Sequence, residues 1–258
     1  MRFASLGSGS EGNALIAQSS GAGRPTTIMI DCGFGQKDLE RRLARVDLGI
    51  DDLDAIFVTH EHGDHVGGVF RLGRKFKIPV YMTRGTFMNS ADPLAELCPI
   101  TFIQADVTVE FGDLRISPFT VPHDAREPVQ YVIEDHRCKL GVLTDLGHLT
   151  PNLDIALEGL DAFILECNHD EDMLAKSQYP ASLKRRISGP YGHLANGLAA
   201  QLLARLNSNQ IETIVAAHLS SSNNTPDLAR DCLANASARP SKEIGVAFQG
   251  EGFGWIER

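Results

Sequence analysis

Residues 58–65 read Val-Thr-His-Glu-His-Gly-Asp-His, which packs His60, His62, Asp64 and His65 into one short stretch. Imidazole and carboxylate donors suit zinc, manganese or iron. A segment this short cannot wrap four ligands around one ion, but it can serve two, with His60 and His62 on one and Asp64 and His65 on the other. A polar surface turn can hold a stray histidine. Three His and one Asp at this spacing, directly after an apolar run, form a far stricter pattern.

The apolar run, Ala55-Ile56-Phe57-Val58, is of β type. The cluster is therefore expected at the carboxyl end of a buried strand, with Gly63 allowing a tight turn and a helix over residues 66–76. The same arrangement recurs along the chain. Ile28-Met29-Ile30 leads to Asp31, the run at 114–120 to His123, Gly141-Val142-Leu143 to Asp145, and the run at 211–216 to His218. Ala162-Phe163-Ile164-Leu165 delivers Glu166. Strands that repeatedly end in acids and histidines predict that one rim of the sheets is a single site. His123 then completes the first ion's set with His60 and His62, and His218 completes the second with Asp64 and His65. Asp145 bridges both, because a carboxylate has two oxygens. Two divalent ions, zinc or manganese, sharing a bridging water would make hydroxide available near neutral pH.

Composition narrows the partners. Lys and Arg number 24 against 33 Asp and Glu, a net charge of −9 over 258 residues. Bulk charge will not hold such a chain on nucleic acid, so a phosphate-bearing substrate needs metal or a local basic patch. Lys184-Arg185-Arg186 is the only run of three basic residues. It reads either as a phosphate grip, with Arg supplying forked donors, or as the solvated face of a surface helix. The small residues from Gly7 to Asn13 read as a loop whose backbone approaches an anion, with Ser8, Ser10 and Asn13 beside it, or as a flexible hairpin loop. Five scattered cysteines without a Cys-x-x-Cys pair predict reduced thiols in a cytoplasmic protein. No long apolar run predicts a membrane span, and the first residues meet glycine too soon for a signal peptide. Length and the absence of linkers or repeats predict one domain over 1–258.

Thr59 to His65 resembles the signature of the metallo-β-lactamase superfamily, and His123, Asp145 and His218 match its later metal motifs in order. The resemblance implies an α/β (α+β) fold, a four-layer αββα sandwich with the site along the edge of two sheets. It makes Asp31 an acid that supports the metal loop without binding metal. Asp145 stands where a cysteine would mark the antibiotic-hydrolysing branch. Further stretches, Leu6-Gly7-Ser8-Gly9-Ser10-Glu11-Gly12-Asn13, Pro122-His123-Asp124-Ala125, Leu165-Glu166-Cys167-Asn168-His169-Asp170, Gly192-His193-Leu194-Ala195-Asn196 and Ala217-His218-Leu219-Ser220, are similar to the YycJ/WalJ-type group. That group is associated with DNA exonuclease activity and is a relative of tRNase Z. Ala195 and Ser222 depart from it, standing where the group usually has Ser and often has an acid.

The resemblance implies a dinuclear metal-dependent phosphodiesterase acting on nucleic acid, DNA ahead of RNA, or on a small phosphodiester. Asp64, Glu166 and His193 are its implied catalytic residues, with His193 protonating the leaving oxygen. His148, Asn223 and Asn224 are expected to line the substrate side. Two alternatives use the same residues: a thioester or lactone hydrolase, and a non-catalytic metal-binding signalling protein.

Overall fold

Period-two burial sorts the strands between two faces. In the segment 27–30, Ile28 and Ile30 enter one apolar cluster and Met29 another. At 162–165, Phe163 and Leu165 part from Ala162 and Ile164 in the same way. A strand buried on both faces must lie in a layered interior. The computed structural model describes the chain except residues 22, 91, 93, 94, 207 and 209.

The strands run β1 (Arg2–Gly7), β2 (Ala14–Gln18), β3 (Thr27–Ile30), β4 (Ala55–Phe57), β5 (Val80–Thr83) and β6 (Ile100–Ile103), then β7 (Val109–Phe111), β8 (Leu114–Thr120), β9 (Val129–Glu134), β10 (Lys139–Leu143), β11 (Ala162–Glu166), β12 (Thr213–Ala217) and β13 (Ile244–Val246), and last β14 (Phe253–Glu257). Among the described residues they form two seven-stranded sheets, ordered β14-β1-β2-β3-β4-β5-β6 and β13-β12-β11-β10-β9-β8-β7. The helices are α1 (Gln36–Ala44), α2 (Gly63–Val66), α3 (Val69–Phe76), α4 (Arg84–Asn89), α5 (Pro151–Ala156), α6 (Glu171–Lys176), α7 (Ala181–Ile187), α8 (Asn196–Arg205) and α9 (Pro226–Ser237).

Three apolar clusters define the layers. One lies between the sheets and includes Phe3, Phe57, Tyr131, Leu140 and Val215. A second covers the outer face of the first sheet with α1 and α3, through Leu39, Leu43, Phe70 and Leu72. The third covers the second sheet with α5, α8 and α9, through Leu153, Leu202, Leu203 and Leu233. The result is the four-layer αββα sandwich. Between the sheets Phe57 stacks on Tyr81 at 4.5 Å and meets the edge of Tyr131 at 6.0 Å. The buried Tyr131 hydroxyl donates to the Val58 carbonyl at 2.6 Å, fixing the chain just before His60.

Several expected elements shift. Gly63 is not a left-handed turn residue: it opens α2, so Asp64 and His65 ride on a helical turn, and α3 starts only after Gly67 and Gly68. The apolar run that opens at Ile244 is a strand only to Val246, and the chain closes with β14 beside β1. The half-exposed β14, interrupted by Gly254, carries no alternation that would announce it. Helix α4 is likewise unannounced, since Arg-Gly-Thr-Phe-Met-Asn has no helical periodicity; the Thr83 side chain caps it through Thr86 N. Thr225 caps α9 through Leu228 N, with Pro226 at the first turn.

Candidate metal centre

Strands β3 to β6 are parallel, as are β10 to β13, and β8 runs with β10 because both are antiparallel to β9. Their carboxyl ends bring Asp31, His60, His123, Asp145, Glu166 and His218 to one rim. Asp31 and His218 follow their strands in left-handed backbone conformations, φ 58° and 53°, which turn the chain sharply at the sheet edge. The metal turn docks by backbone: Asn13 N donates to Asp64 O at 2.8 Å and Cys32 N to His65 O at 2.7 Å. A side chain at Gly33 would meet Asp64 O at 2.0 Å, so only glycine permits this approach.

His60, His62 and His123 form the first group. His60 Nε2 lies 3.0 Å from His62 Nδ1, which lies 3.2 Å from His123 Nε2. Each ring's other nitrogen faces an acceptor: Thr59 Oγ1 at 2.9 Å for His60, the Asp124 carbonyl at 3.2 Å for His62, and the Gly192 carbonyl at 3.0 Å for His123. Thr59 Oγ1 gives its own proton to Asp31 Oδ2 at 2.7 Å, so it can accept from His60. The inward nitrogens are thereby left without protons, three lone pairs facing one another. Burial, chiefly, holds His60 and His123 below the usual histidine pKa, which keeps them neutral. A tetrahedral ion with N–metal bonds of ~2.0–2.1 Å places its ligand nitrogens about 3.3 Å apart, close to the spacing here.

The second group is Asp64, His65 and His218, whose candidate donor atoms lie within 4.8 Å of one another. His65 Nδ1 donates to Asp31 Oδ2 at 2.8 Å, which turns Nε2 toward Asp145 Oδ2 at 3.1 Å. Asp145 Oδ1 lies 3.8 Å from His123 Nε2, so one carboxylate faces both groups with different oxygens. Asp145 Oδ2 and both ring nitrogens of His218 are buried without a hydrogen-bond partner among the described residues. Such atoms each cost ~1–3 kcal/mol unless something satisfies them, and an ion is a ready explanation. The donors are nitrogen and oxygen without sulfur, which fits zinc or manganese. Asp31 is saturated by Thr59 N, Thr59 Oγ1 and His65 Nδ1, all within 2.8 Å.

Beside this set, His193 Nδ1 lies 2.8 Å from Glu166 Oε1 and 3.3 Å from Asp145 Oδ1. Glu166 Oε2 accepts from Leu146 N at 2.7 Å, so both its oxygens are engaged by protein donors. Although Glu166 also approaches His218, these bonds make it an orienting group for His193. Burial disfavours a charged His193, but the hydrogen bonds and negative charge of Asp145 and Glu166 outweigh it and push its pKa up to about 10. The same competition, burial against Asp145, Asp64 and Glu166, takes His218 to about 9. Burial also opposes charge on His65, yet Asp145 and Asp31 raise it well above the ordinary value. Asp145 falls well below the carboxylate range, its burial overcome by His218 and His65.

Other anticipated residues divide. Ser8 is buried and its Oγ accepts from His218 N at 2.9 Å, so it positions a histidine instead of facing substrate. Asn13 is buried too: its amide bridges Gly9 and the metal turn, with Nδ2 3.0 Å from His65 Nε2. Ser10 stands exposed at the loop tip. Asn224 spends its amide on Asn196 and Cys167, which corrects its place from pocket to fold. Asn223 is fully buried with Oδ1 unpartnered. His148 Nδ1 donates to Pro190 O at 2.6 Å. The basic run is not a unit: Lys184 Nζ turns back to Ala175 O at 2.7 Å, while Arg186 Nε meets Asp124 Oδ2 at 2.6 Å. Helix α7 carrying the run buries no residue. Two contributors were unforeseen. Thr59 links Asp31 to His60, and Asp124 joins His62 to Arg186; both lie inside motifs already conspicuous for their neighbours. The five cysteines are free.

Comparison with known proteins agrees with this fold. Residues 26–219 match the family model described as a beta-lactamase superfamily domain. The chain is 35% identical over 253 residues to "Exodeoxyribonuclease YycJ" of Bacillus anthracis, covering 96% of this chain and 94% of the relative. It is 32% identical over 252 residues to "Exodeoxyribonuclease WalJ" of Streptococcus pneumoniae, covering 96% and 92%. Among solved structures, the metallo-beta-lactamase fold protein YhfI from Bacillus subtilis superposes with a TM-score of 0.74 at 18% identity, over 100% of this chain and 99% of the other. The chain belongs to the metallo-β-lactamase superfamily and is homologous to the YycJ/WalJ proteins. Among the described residues no helix is long and apolar enough to cross a membrane.

Proposed function

We propose that the chain is a dinuclear metal-dependent phosphodiesterase that cleaves nucleic acid, DNA ahead of RNA. One observation carries the reading: His60, His62 and His123 turn three ring nitrogens toward one point, beside Asp145 Oδ2 and the His218 ring nitrogens, which are buried without hydrogen-bond partners among the described residues. His60, His62, His123 and Asp145 would hold one ion, and Asp64, His65, Asp145 and His218 the other. Divalent metal there supplies Lewis acidity toward a phosphoryl oxygen and a water acidic enough to ionise near neutral pH.

The chain's own residues do the rest. Asp31 and Thr59 set the tautomers of His65 and His60. Asp124 orients His62 and holds Arg186 at the rim, where its guanidinium faces incoming phosphate. Glu166 fixes His193 through Nδ1, leaving Nε2 to hold a proton for the departing oxygen. The names of the two relatives, both exodeoxyribonucleases, support a phosphodiester substrate.

The test is a side-by-side assay of zinc- and manganese-loaded protein on end-labelled DNA, on RNA, and on a thioester and a lactone. Expected are loss of phosphodiester cleavage in Asp145→Asn and two ions per chain by elemental analysis. Cleavage of the thioester or lactone with none of either nucleic acid would replace this reading with the small-molecule one.

A further inference from the structure

Beyond Arg186 at the rim and the exposed Arg185, the cations that could hold a polyanion lie outside the basic run. Arg186 is tied to Asp124 and Lys184 to a backbone carbonyl. The guanidinium groups of Arg84 and Arg126 have no ion-pair or hydrogen-bond partner among the described residues. Both line one groove of about 890 Å³, at the side where the sandwich opens between edge strands β6 and β7. Its apolar lining is unusually bare, with Met88 71%, Val107 55% and Phe102 42% exposed. Arg84 lies over the Phe102 ring at 4.6 Å, and Phe87 meets that ring edge-on at 5.4 Å. A partly exposed aromatic ring, a guanidinium stacked on it and a second unpaired guanidinium are the parts of a single-strand binding groove.

The groove's Arg126 wall is tied to the metal turn. Glu61, between His60 and His62, accepts Arg126 N at 2.7 Å and Asn89 Nδ2 at 2.8 Å through Oε1. Arg126 is also three residues from His123, so their Cα atoms are at most about 11 Å apart. Glu127 is the groove's carboxylate, and its Oε2 is engaged by Gly85 N at 2.6 Å. In a chain of net charge −9, two arginines against one carboxylate beside bare apolar surface favour a polyanion with flat bases over an acidic or apolar protein.

We propose that this groove seats unpaired nucleotides of a single strand flanking the phosphate at the metal centre, with Phe102 and Arg84 as the stacking platform and Arg126 on the backbone. The inference rests on the nuclease reading above. The experiment compares steady-state cleavage of labelled oligothymidylate and of bis(p-nitrophenyl) phosphate by metal-loaded native protein and the variants Phe102→Ala, Phe102→Leu, Arg84→Gln and Arg126→Gln. Phe102→Leu keeps apolar volume against Phe87 while removing the ring. Both Phe102 variants should raise KM for the oligonucleotide, relative to each variant's own KM on the small ester, by ~5–150-fold, the span for one lost base stack. Arg126→Gln should flatten the slope of log KM against log salt by about 0.7. If native protein cleaves the oligonucleotide and no variant shifts KM or slope beyond its effect on the small ester, the groove is misassigned and the nuclease reading stands. If native protein cleaves no oligonucleotide, both fail together. A native dimer that Phe102→Ala converts to monomer in sedimentation would assign the groove to contact between copies and overturn the proposal.

Discussion

Replacing Asp31 by Asn tests how the metal ligand His65 is oriented. Asn tolerates the left-handed backbone that Asp31 adopts at φ 58°, so the turn survives and only the donor pattern changes. The carboxylate accepts three hydrogen bonds, from Thr59 N on Oδ1 and from Thr59 Oγ1 and His65 Nδ1 on Oδ2. An amide has one acceptor oxygen. With that oxygen kept on Thr59 N, the NH2 group faces His65 Nδ1 as a donor. The His65 proton must then move to Nε2, the nitrogen that faces Asp145 at 3.1 Å, where it blocks coordination. Flipping the amide instead strands Thr59 N in the interior, costing ~1–3 kcal/mol. Either route costs about 5–150-fold in metal affinity at 1.4 kcal/mol per decade, in line with the ~10–100-fold typical of losing a ligand's supporting partner. Competition with a chromophoric chelator measures the affinity, and nitrogen NMR of the imidazoles reads the His65 tautomer. Native affinity in the variant, or a His65 still protonated at Nδ1, would refute the reasoning. So would a metal-soaked crystal with an Asp31 oxygen at bonding distance.

Three further outcomes follow from the same geometry. His193→Ala should lower kcat on DNA by ~10²–10⁴-fold with metal content intact, and by much less on a nitrophenyl phosphodiester, whose leaving group needs no proton; equal losses would remove His193 from the acid role. Gly33→Ala should push the metal turn off β3, since its Cβ would lie 2.0 Å from Asp64 O, and elemental analysis should find metal depleted. In metal-free protein His218 and His193 have pKa values raised to about 9 and about 10. Raised values mean stability fully present below ~6.5 and lost as pH climbs through 9 to 10. The Tm of protein in chelator should therefore fall across that window, and fall less in metal-loaded protein, where the cation replaces the proton on His218; parallel curves would contradict this.

The candidate metal cluster was legible because its residues combine two independent signals. Each is a strong donor, and each follows an apolar segment whose β character is plain, such as Ala55-Ile56-Phe57-Val58 before His60. Strand direction then does the rest, since parallel strands deliver their carboxyl ends to one rim. Gly63 shows where that logic stops. Its freedom suggested a tight turn, but a Cβ there would meet nothing within 4 Å and its φ is not left-handed. The glycine that the approach requires is Gly33, whose neighbour Asp64 lies far along the chain and has no local sequence mark.

Loop residues were harder because their polar groups fit two partners equally well on paper. Ser8 and Asn13 have the chemistry to touch an anion, yet the fold spends them on His218 N and the metal turn. The basic run illustrates the same ambiguity through direction. On α7, Lys184 and Arg186 are two positions apart, so they point away from each other around the helix. One reaches Ala175 and the other Asp124, and only the second touches the site. Three adjacent cations therefore supply one local contact, which is why a chain of net charge −9 must find the rest of its grip elsewhere on the rim. Arg84 and Arg126 lie 42 residues apart in sequence, as the Gly85–Glu127 contact records, and only the packing of α4 against the loop after His123 brings them to one groove.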